Sequence, residues 1–328
     1  MKFKKNKKFF KTVLVLFIIF IIMNTPRIQF KKLINNNVNN IRICMCTAGK
    51  EENRYIREFV YHYKKYGIDK IFLYDNNDID NERFEDVLSD FNDNKFVEIL
   101  NYRGRYLAQL SAYKDCYLKN NKTYNWFIFY DTDEFINLKN YTSVKQFLSE
   151  KKFNECQNVY LNCLRHTDNN LLYYDNRTLA ERFPIIKWKS RLYTVKSILK
   201  GNISEVHFKS SHWLDRAIIG CNSLGEKVAP NNRKHMFSDI NNYKDCYIDH
   251  YCFKSTEEYI DKIRKGDAIF GTDLRIILHK IDLYFKYNNI TDIKIRYIEN
   301  KMGIYLKEQR MKLMKKNAKN NVSLIIKL

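Results

Sequence analysis

Proline and glycine are scarce in this sequence, which has three prolines and nine glycines in 328 residues. So few chain breakers exclude long flexible linkers and low-complexity arrays as major parts of the chain. With 45% hydrophobic residues, the chain is long enough for one large domain or two small ones. We therefore expect a folded body with a sizeable core.

Several motifs of cofactor binding are also missing. The sequence contains no G-x-G-x-x-G and no Walker loop, so neither a dinucleotide site nor a P-loop site is supported. Its eight cysteines include no C-x-x-C pair with zinc spacing, which argues against a structural zinc site. Disulfides are expected if the body lies in an oxidising compartment, and the sequence leaves their pairing open.

A formal net charge of +21 suggests a nucleic-acid-binding protein, but the distribution of the charge argues against it. Residues 1–32 hold nine Lys or Arg and no acid, and residues 301–328 hold eight Lys or Arg and one acid. The middle, residues 33–300, has 41 basic and 36 acidic residues. Because a nucleic-acid-binding domain carries its basic surface on the folded body, we expect no nucleic-acid partner. The basic ends are better suited to anionic lipid.

The N-terminus has the pattern of a signal anchor. Residues 1–11 form a lysine-rich tail, and residues 12–23 are apolar apart from Thr12. No small-residue cleavage site follows, so we predict an uncleaved single-pass membrane helix at 12–23 and a polar stem at 24–40, with a cleaved signal peptide as the alternative. The lysines favour a cytoplasmic N-terminus, which places the body in a lumen or outside the cell rather than facing the cytoplasm.

Strand and helix patterns alternate through the first half of the chain. Apolar runs predict strands at residues 41–47, 70–75, 96–100 and 126–130, and apolar residues at helical spacing predict helices at 54–66, 81–91 and 106–119. Gly67 suits the left-handed position after the first helix. Such alternation predicts an α/β fold with a mostly parallel sheet and helices on both faces.

The second half of the chain has a mixed pattern. Strands are predicted at residues 159–164 and 193–199, and a helix at 257–265. A long basic amphipathic helix or a helix pair is predicted over roughly 273–318. We therefore predict a domain over 41–272 and a basic helical region over 273–328.

The fourth predicted strand ends in an acidic turn. Asp131, Asp133 and Glu134 follow five apolar or aromatic residues, and unpaired carboxylates are too costly to bury within a strand. Alternation places Asp131 and Asp133 on the same side, so both can bind one divalent cation and leave positions open for substrate phosphates. Glu134 is expected to support the loop.

Polar residues end two other predicted strands. Thr47 and Asp75 lie at the carboxyl ends of the first and second strands, as Asp131 does at the end of the fourth. In parallel sheets ligands bind beyond the carboxyl ends of the strands. The three positions together predict a ligand site at this edge.

Four blocks of this sequence together form a recognisable pattern. They are 50–53 with 56–63 and 67–76; Gln109, Ala112, Tyr113, Cys116 and Leu118 before Trp126 and Asp131–Phe135; 195–198 with His212; and 250–251 with Lys254, Ser255, Glu257–Tyr259, Lys262 and Gly266. These blocks resemble the GT-A fold glycosyltransferases, specifically the family 92 group and its family 2-like relatives. They occur in the family order and span about residues 41–270, and Phe59 stands where the family has Trp.

The resemblance implies a nucleotide-sugar site with a bound Mn²⁺ or Mg²⁺. It implies that Asp131 and Asp133 bind the metal with His212 as a third ligand, for which His207 and His250 are alternatives. It also implies that the donor pocket includes Thr47, Asn53, Asp75 and Asn76, and that Lys196 and Arg191 contact the donor diphosphate. A UDP-sugar is favoured over a GDP-sugar.

The family 92 resemblance also implies inversion, which needs a general base to take the proton of the acceptor hydroxyl. We prefer Glu181, because the residues around it look like a family block. Asp168, Asp215 and Asp249 are the other candidates.

The sequence therefore predicts a membrane-anchored, metal-dependent glycosyltransferase. It would transfer a sugar (a hexose such as galactose, or an N-acetylhexosamine) from a nucleotide sugar to a glycan or glycoconjugate. The alternative is a membrane-anchored module that binds a nucleotide without catalysis. A basic nucleic-acid-binding protein is a third hypothesis that depends on the net charge alone.

Overall fold

The computed structural model of the protein describes residues 40–93, 95–186, 194–210, 212, 218–228, 243–266 and 274–325. The predicted tail, membrane helix and stem (residues 1–40) lie outside these ranges except for residue 40, and Arg191 and Asp215 also lie outside them. Among the described residues, no helix has the length and hydrophobicity needed to cross a membrane. The division into domains stays a prediction.

A mixed sheet of ten strands forms the centre of the fold. The strands are β1 (Ile43–Gly49), β2 (Lys70–Asp75), β3 (Val97–Asn101), β4 (Trp126–Phe129), β5 (Glu134–Leu138), β6 (Asn158–Arg165), β7 (Val195–Lys200), β8 (Gly220–Cys221), β9 (Lys227–Val228) and β10 (Cys246–His250). Their main order is β3-β2-β1-β4-β7-β6-β10-β5, and β8 with β9 extends from β6.

The predicted parallel arrangement holds for only half of the sheet. Strands β3, β2, β1 and β4 are parallel. Beyond β4 the directions are mixed, because β7 is antiparallel to both β4 and β6, and β10 is parallel to β6 but antiparallel to β5. Parallel neighbours need a crossover connection, usually a helix, and the regular strand–helix alternation ends after β4.

Helices connect the parallel strands and extend the C-terminal part of the chain. They are α1 (Ile56–Lys65), α2 (Glu85–Asp93), α3 (Gln109–Asn120), α4 (Val144–Leu148), α5 (Leu179–Arg182), α6 (Thr256–Lys265), α7 (Leu274–Tyr287) and α8 (Asp292–Ile325), with a 3₁₀ turn at Lys151–Phe153. The predicted cap after α1 is confirmed, since Gly67 has φ +80°.

Both faces of the parallel strands are covered. Alternate residues of β1 point to opposite faces, so Ile43 and Met45 lie in one apolar cluster with helix α1, while Cys44 and Cys46 lie in another with helix α3. The predicted α/β architecture with helices on both faces is therefore present at β1. A disulfide between Cys46 and Cys116 joins β1 to α3.

A third apolar cluster packs α7 and α8 against α6, through residues such as Tyr259, Tyr284 and Ile298. A buried ion pair attaches these helices to the rest of the fold, because Nζ of Lys294 lies 2.6 Å from Oδ2 of Asp168. A second disulfide, between Cys156 and Cys221, joins the 3₁₀ turn region to β8. The C-terminal helices are therefore packed onto the sheet domain near α6.

Candidate active site at the carboxyl edge of the parallel strands

The acidic turn begins where the buried strand β4 ends. All four residues of β4 are buried. The backbone N–H of Glu134 donates to the carbonyl oxygen of Asp131 at 3.0 Å, which closes a tight turn into β5. The exposed fraction of the side chain falls from 33% at Asp131 to 7% at Asp133 and 0% at Glu134. Asp131 is therefore the acid of this turn most accessible to a ligand.

Asp131 is surrounded by donors from α3 and β7. Its Oδ1 accepts from the Gln109 amide and, at 3.2 Å, from the Tyr113 hydroxyl. Its Oδ2 lies 2.7 Å from Nζ of Lys196. Burial raises the pKa of Asp131, but the charge and hydrogen bond of Lys196, together with the adjacent His250, lower that pKa below its ordinary value. The carboxylate is therefore ionised and held in place.

Asp133 faces α6 and the end of β10. Its Oδ2 lies 2.6 Å from Nζ of Lys262, and its Oδ1 lies 3.5 Å from Nε2 of His250. Burial raises the pKa of Asp133, but the positive charge of Lys262 and the adjacent His250 hold it well below the ordinary value. His250, rather than the predicted His212, is thus the histidine that faces this carboxylate.

Glu134 lies beneath the two aspartates. Its Oε2 accepts the backbone N–H of Asp131 at 3.0 Å and lies 3.2 Å from Nζ of Lys196. Burial and the negative charges of the two aspartates raise the pKa of Glu134 to about 8, although the positive charge of Lys196 acts in the opposite direction. Its contacts match the expected role in supporting the loop. The carboxylates of Asp131, Asp133 and Glu134 each offer an oxygen within 4.8 Å of the others, close enough to hold one metal ion.

His212 lies next to the start of β7. Its Nδ1 is 3.3 Å from the carbonyl oxygen of Val195. Burial, together with the charge of Lys196, lowers the pKa of His212 to about 4. Its predicted role as metal ligand stays a prediction. The signal for His250 was available in the sequence, because His250 ends a strand and belongs to the fourth family block.

The predicted donor residues lie along the same edge of the sheet. Thr47 near the end of β1 is fully buried, and its hydroxyl has no hydrogen-bond partner in the described part of the protein. Asp75 accepts from Asn77 and, at 2.9 Å, from Arg103. Asn76 donates its side-chain amide to two backbone carbonyl oxygens of the loop after β3. These contacts order the loops after β2 and β3.

Two other predicted donor residues have contacts within the protein. Asn53 donates its amide to the carbonyl oxygen of Arg83 at 2.9 Å, and its Oδ1 is buried without a partner among the described residues. Lys196 is fully buried and binds Asp131 and Glu134. Its ammonium group therefore neutralises the acidic turn, and contact with a donor diphosphate stays a prediction.

The candidate bases occupy different environments. Glu181 is exposed and forms a capping box with Thr178 at the start of α5. Asp168 is buried and pairs with Lys294. Asp249 accepts from His166 at 2.8 Å. Each of these carboxylates thus has a local structural partner, and the choice among them stays open.

A cavity of about 590 Å³ lies between the loop after β1 and helix α6, and the residues of the acidic turn are not part of its lining. Glu258, Lys262 and Lys265, which share one face of α6 by their spacing, line it. Glu52, from the loop after β1, is buried at the wall and binds both Lys254 and Lys265. Glu52, Lys254, Glu258 and Lys262 stand in the family blocks, but their sequence pattern alone predicted no role for them. Lys262 connects the cavity to Asp133.

An α/β protein with an acidic cluster at the carboxyl edge of parallel strands, beside a charged cavity, has a ligand site where Rossmann-like folds place theirs. The family model for glycosyltransferase family 92 matches residues 39–264. The chain therefore belongs to glycosyltransferase family 92, and this membership supports a glycosyltransferase enzyme.

Individual relatives are distant. The chain is 27% identical over 95 residues to a glycosyltransferase family 92 protein of Oryza sativa subsp. japonica, and 29% identical over 96 residues to one of Ricinus communis. Each match covers 29% of this chain, and the chain spans only 16% and 17% of these relatives' lengths.

One solved structure that resembles this chain is a UDP-glucose pyrophosphorylase complexed with UDP-glucose. The match covers 82% of this chain and 99% of the pyrophosphorylase chain, with 9% sequence identity and a TM-score of 0.25. At that TM-score the likeness says nothing about fold or ligand.

Proposed function

We propose that the protein is a metal-dependent glycosyltransferase with a GT-A fold. It transfers a hexose such as galactose, or an N-acetylhexosamine, from a nucleotide sugar to a glycan or glycoconjugate, with inversion. The donor is a UDP-sugar rather than a GDP-sugar. The observation that carries this proposal is the convergence of Asp131, Asp133 and Glu134 at the sheet edge, where His250 lies 3.5 Å from Asp133 and Lys262 connects Asp133 to a cavity of about 590 Å³.

The residues at the acidic turn fit a divalent cation. Carboxylate oxygens suit Mg²⁺ and Mn²⁺, and an imidazole favours transition metals such as Mn²⁺. Oδ1 of Asp133 and Nε2 of His250 lie 3.5 Å apart, and the oxygens of Asp131 and Glu134 are within 4.8 Å of Asp133. We assign Asp131, Asp133 and His250 as the ligands. A metal bound there would supply Lewis-acid stabilisation of the charge on the departing nucleoside diphosphate.

The cavity accommodates the nucleoside diphosphate part of the donor. Its volume falls in the range of small-molecule sites, which is about 300–1,000 Å³. Lys254, Lys262 and Lys265 line it, paired with Glu52 or Asp133, and a diphosphate would have to compete with these carboxylates for the lysines. The unpartnered hydroxyl of Thr47, near the same sheet edge, would donate to the donor. In this proposal the base that accepts the acceptor proton is Glu181 or Asp168.

The proposal is tested by nucleotide release from UDP- and GDP-sugars with and without Mn²⁺, over a panel of glycan acceptors. The wild-type protein should release UDP only with Mn²⁺, and the Asp131→Asn, Asp133→Asn double variant should fall to background. Asp69→Asn is the matched control, because Asp69 binds Lys145 next to the amino end of β2, away from the acidic turn. Unchanged release by the double variant would refute the proposal.

One observation favours a second candidate, a nucleotide-binding module without catalysis. Asp131 and Asp133 each have a lysine within 2.7 Å, so the two carboxylates are neutralised without a metal. Calorimetry separates the candidates, because a module would bind UDP or GDP without Mn²⁺ and release nothing from nucleotide sugars over the acceptor panel.

The membrane attachment belongs to the same proposal. It is supported by the lysine-rich residues 1–11, the apolar residues 12–23 and the excess of basic over acidic residues in 301–328. We propose a stem over 24–40, a catalytic domain over 41–272 and a basic helical region over 273–328, with the domain lumenal or extracytoplasmic. Alkali extraction and protease protection of the full chain test this. Release by alkali, or digestion of the domain from the cytoplasmic side, would contradict it.

A further inference from the structure

Arg165, the last residue of β6, has no carboxylate partner in the described part of the protein. Its Nη1 donates to the hydroxyl of Tyr287 at 3.3 Å, and its guanidinium lies 5.4 Å from the centre of the same ring. Its Nε is buried and makes no hydrogen bond to any described residue. By contrast, Nζ of Lys196 and Nζ of Lys262 lie 2.7 Å and 2.6 Å from aspartate oxygens of the acidic turn. The charge of Arg165 is therefore not neutralised by the residues around it.

The surroundings of Arg165 suit an anion from solution. A charged side chain is costly to bury without a counter-charge, and arginines are almost never fully buried unless they are paired. Arg165 is partly exposed, so its charge is open to a ligand. Tyr287, which is 2% exposed and packs on Phe253 with the ring centres 5.3 Å apart, holds the guanidinium in place. A fixed guanidinium without a counter-charge matches the geometry of a carboxylate or a phosphate.

Strand register places Arg165 near the acidic turn. Arg165 is the register partner of His250 in the parallel pair of β6 and β10, and His250 is the partner of Glu134 in the antiparallel pair of β10 and β5. Side chains of register partners point to the same face of a sheet, and neighbouring strands lie about 5 Å apart. The three residues therefore form a row across three strands, in which Arg165 is about 10 Å from Glu134.

The order of the strands separates Arg165 from the proposed nucleotide. Thr47 and Asp75 belong to β1 and β2, which lie on one side of β4, whereas β6 lies on the other side of β4, beyond β7. Arg165 is also not part of the lining of the cavity of about 590 Å³. Inversion requires the acceptor hydroxyl to attack the sugar from the face opposite the leaving diphosphate. The position of Arg165 is therefore on the side from which the acceptor approaches.

We propose that Arg165 is an acceptor-binding residue that pairs with an acidic group, a carboxylate or a phosphate, on the glycan. The acceptor is then an anionic glycan or glycoconjugate, and Arg165 selects it over its neutral counterpart. Tyr287, which holds the guanidinium, lies in α7, outside residues 39–264 that the family model matches. This part of the site therefore depends on the C-terminal helices of this chain. The inference rests on the proposed function, because it names the acceptor of the same reaction.

The test compares glycosides that differ only at carbon 6, namely 4-nitrophenyl β-glucoside, its 6-phosphate and the β-glucuronide, together with the corresponding galactose series. Ligand-observed NMR with the full chain, with and without UDP, should show at least one acid binding about 10–100-fold more tightly than its neutral counterpart. Arg165→Gln should abolish that preference, and Arg165→Lys should keep part of it. Arg42→Gln is the matched control, because Arg42 also stacks on a tyrosine, 4.8 Å from the ring of Tyr124, but lies before the amino end of β1.

A second readout uses the wild-type protein alone and does not depend on any variant folding. Phenylglyoxal modifies arginine side chains, and mass spectrometry locates the modified residues. The preferred acid should protect Arg165 and leave Arg42 unprotected. Neither readout needs turnover, so a failure to release UDP with every acceptor would count against the proposed function and leave the test of Arg165 intact.

Three results would overturn the inference. The first is that neither acid binds more tightly than the neutral glycoside in either series. The second is that Arg165→Gln keeps the preference, or that the preferred acid does not protect Arg165, in which case the guanidinium only anchors α7 through Tyr287. The third is that Arg165→Gln weakens UDP binding in calorimetry and leaves the choice between glycosides unchanged, which would assign Arg165 to the donor.

Discussion

Breaking the buried ion pair between Asp168 and Lys294 should destabilise the protein strongly. Asp168 is 1% exposed and Lys294 2% exposed, with Nζ 2.6 Å from Oδ2. In Lys294→Met the carboxylate would stay buried with the Tyr284 hydroxyl as its remaining side-chain donor in the described part of the chain. Removing one partner of a buried pair costs about 3–5 kcal/mol, since the other charge is left uncompensated.

The double variant makes the prediction specific. Asp168→Asn leaves the ammonium of Lys294 with the carbonyl oxygen of Asn289, 2.7 Å away, and should also cost about 3–5 kcal/mol. Asp168→Asn with Lys294→Met removes both charges and should lie within about 2 kcal/mol of wild type. Urea unfolding of the four full-length proteins measures the coupling. A loss below about 1 kcal/mol in Lys294→Met would refute this reasoning.

The same variants test Asp168 as a general base. Asp168→Asn removes the carboxylate, whereas Lys294→Met keeps it and removes only its partner. If Asp168 takes the acceptor proton, turnover per folded molecule should disappear in the first variant and persist in the second. If Glu181 is the base instead, both variants should lose activity only in proportion to the folded fraction lost.

Three further predictions follow from other sites. Burial lowers the pKa of His62 to about 4, so at low pH the unfolded chain takes up a proton that the folded protein excludes. The free energy of unfolding should therefore fall by up to about 3 kcal/mol as the pH drops from about 6.5 to 4. In His62→Gln, urea unfolding should lack that part of the pH dependence. Replacing Cys156 and Cys221 together by serine, which opens a link across a sequence separation of 65, should cost about 2–4 kcal/mol in non-reducing urea unfolding, and an unchanged midpoint would contradict the link. Lys262→Met removes the ammonium group that lies 2.6 Å from Asp133. Calorimetry should show about fivefold tighter Mn²⁺ binding in this variant, and its KM for the donor should rise. Weaker Mn²⁺ binding would show that Lys262 does not compete with the metal.

Local sequence patterns predicted much of the fold. The apolar run before Asp131 predicted a strand whose residues are all buried, and β4 has that character. Helical spacing predicted α1, and Gly67 predicted its end. These features depend on residues a few positions apart, where backbone geometry and side-chain period decide the outcome. The same period placed Asp131 and Asp133 at the end of a strand.

The local sequence pattern does not predict the direction of the strands that follow β4. An apolar run predicts a strand but does not state which neighbour it pairs with or in which direction. The prediction of a mostly parallel sheet therefore failed at β7, which runs antiparallel to both of its neighbours.

The sequence by itself determined the elements, the faces they bury and the acidic turn at the sheet edge. Only the tertiary structure decided which distant side chains meet that turn. The pairing of β10 with β5 brings His250 opposite Glu134, 116 positions along the chain, and helix α6 brings Lys262 to Asp133. Such contacts follow from strand register and helix packing across long loops, and no short stretch of sequence encodes them.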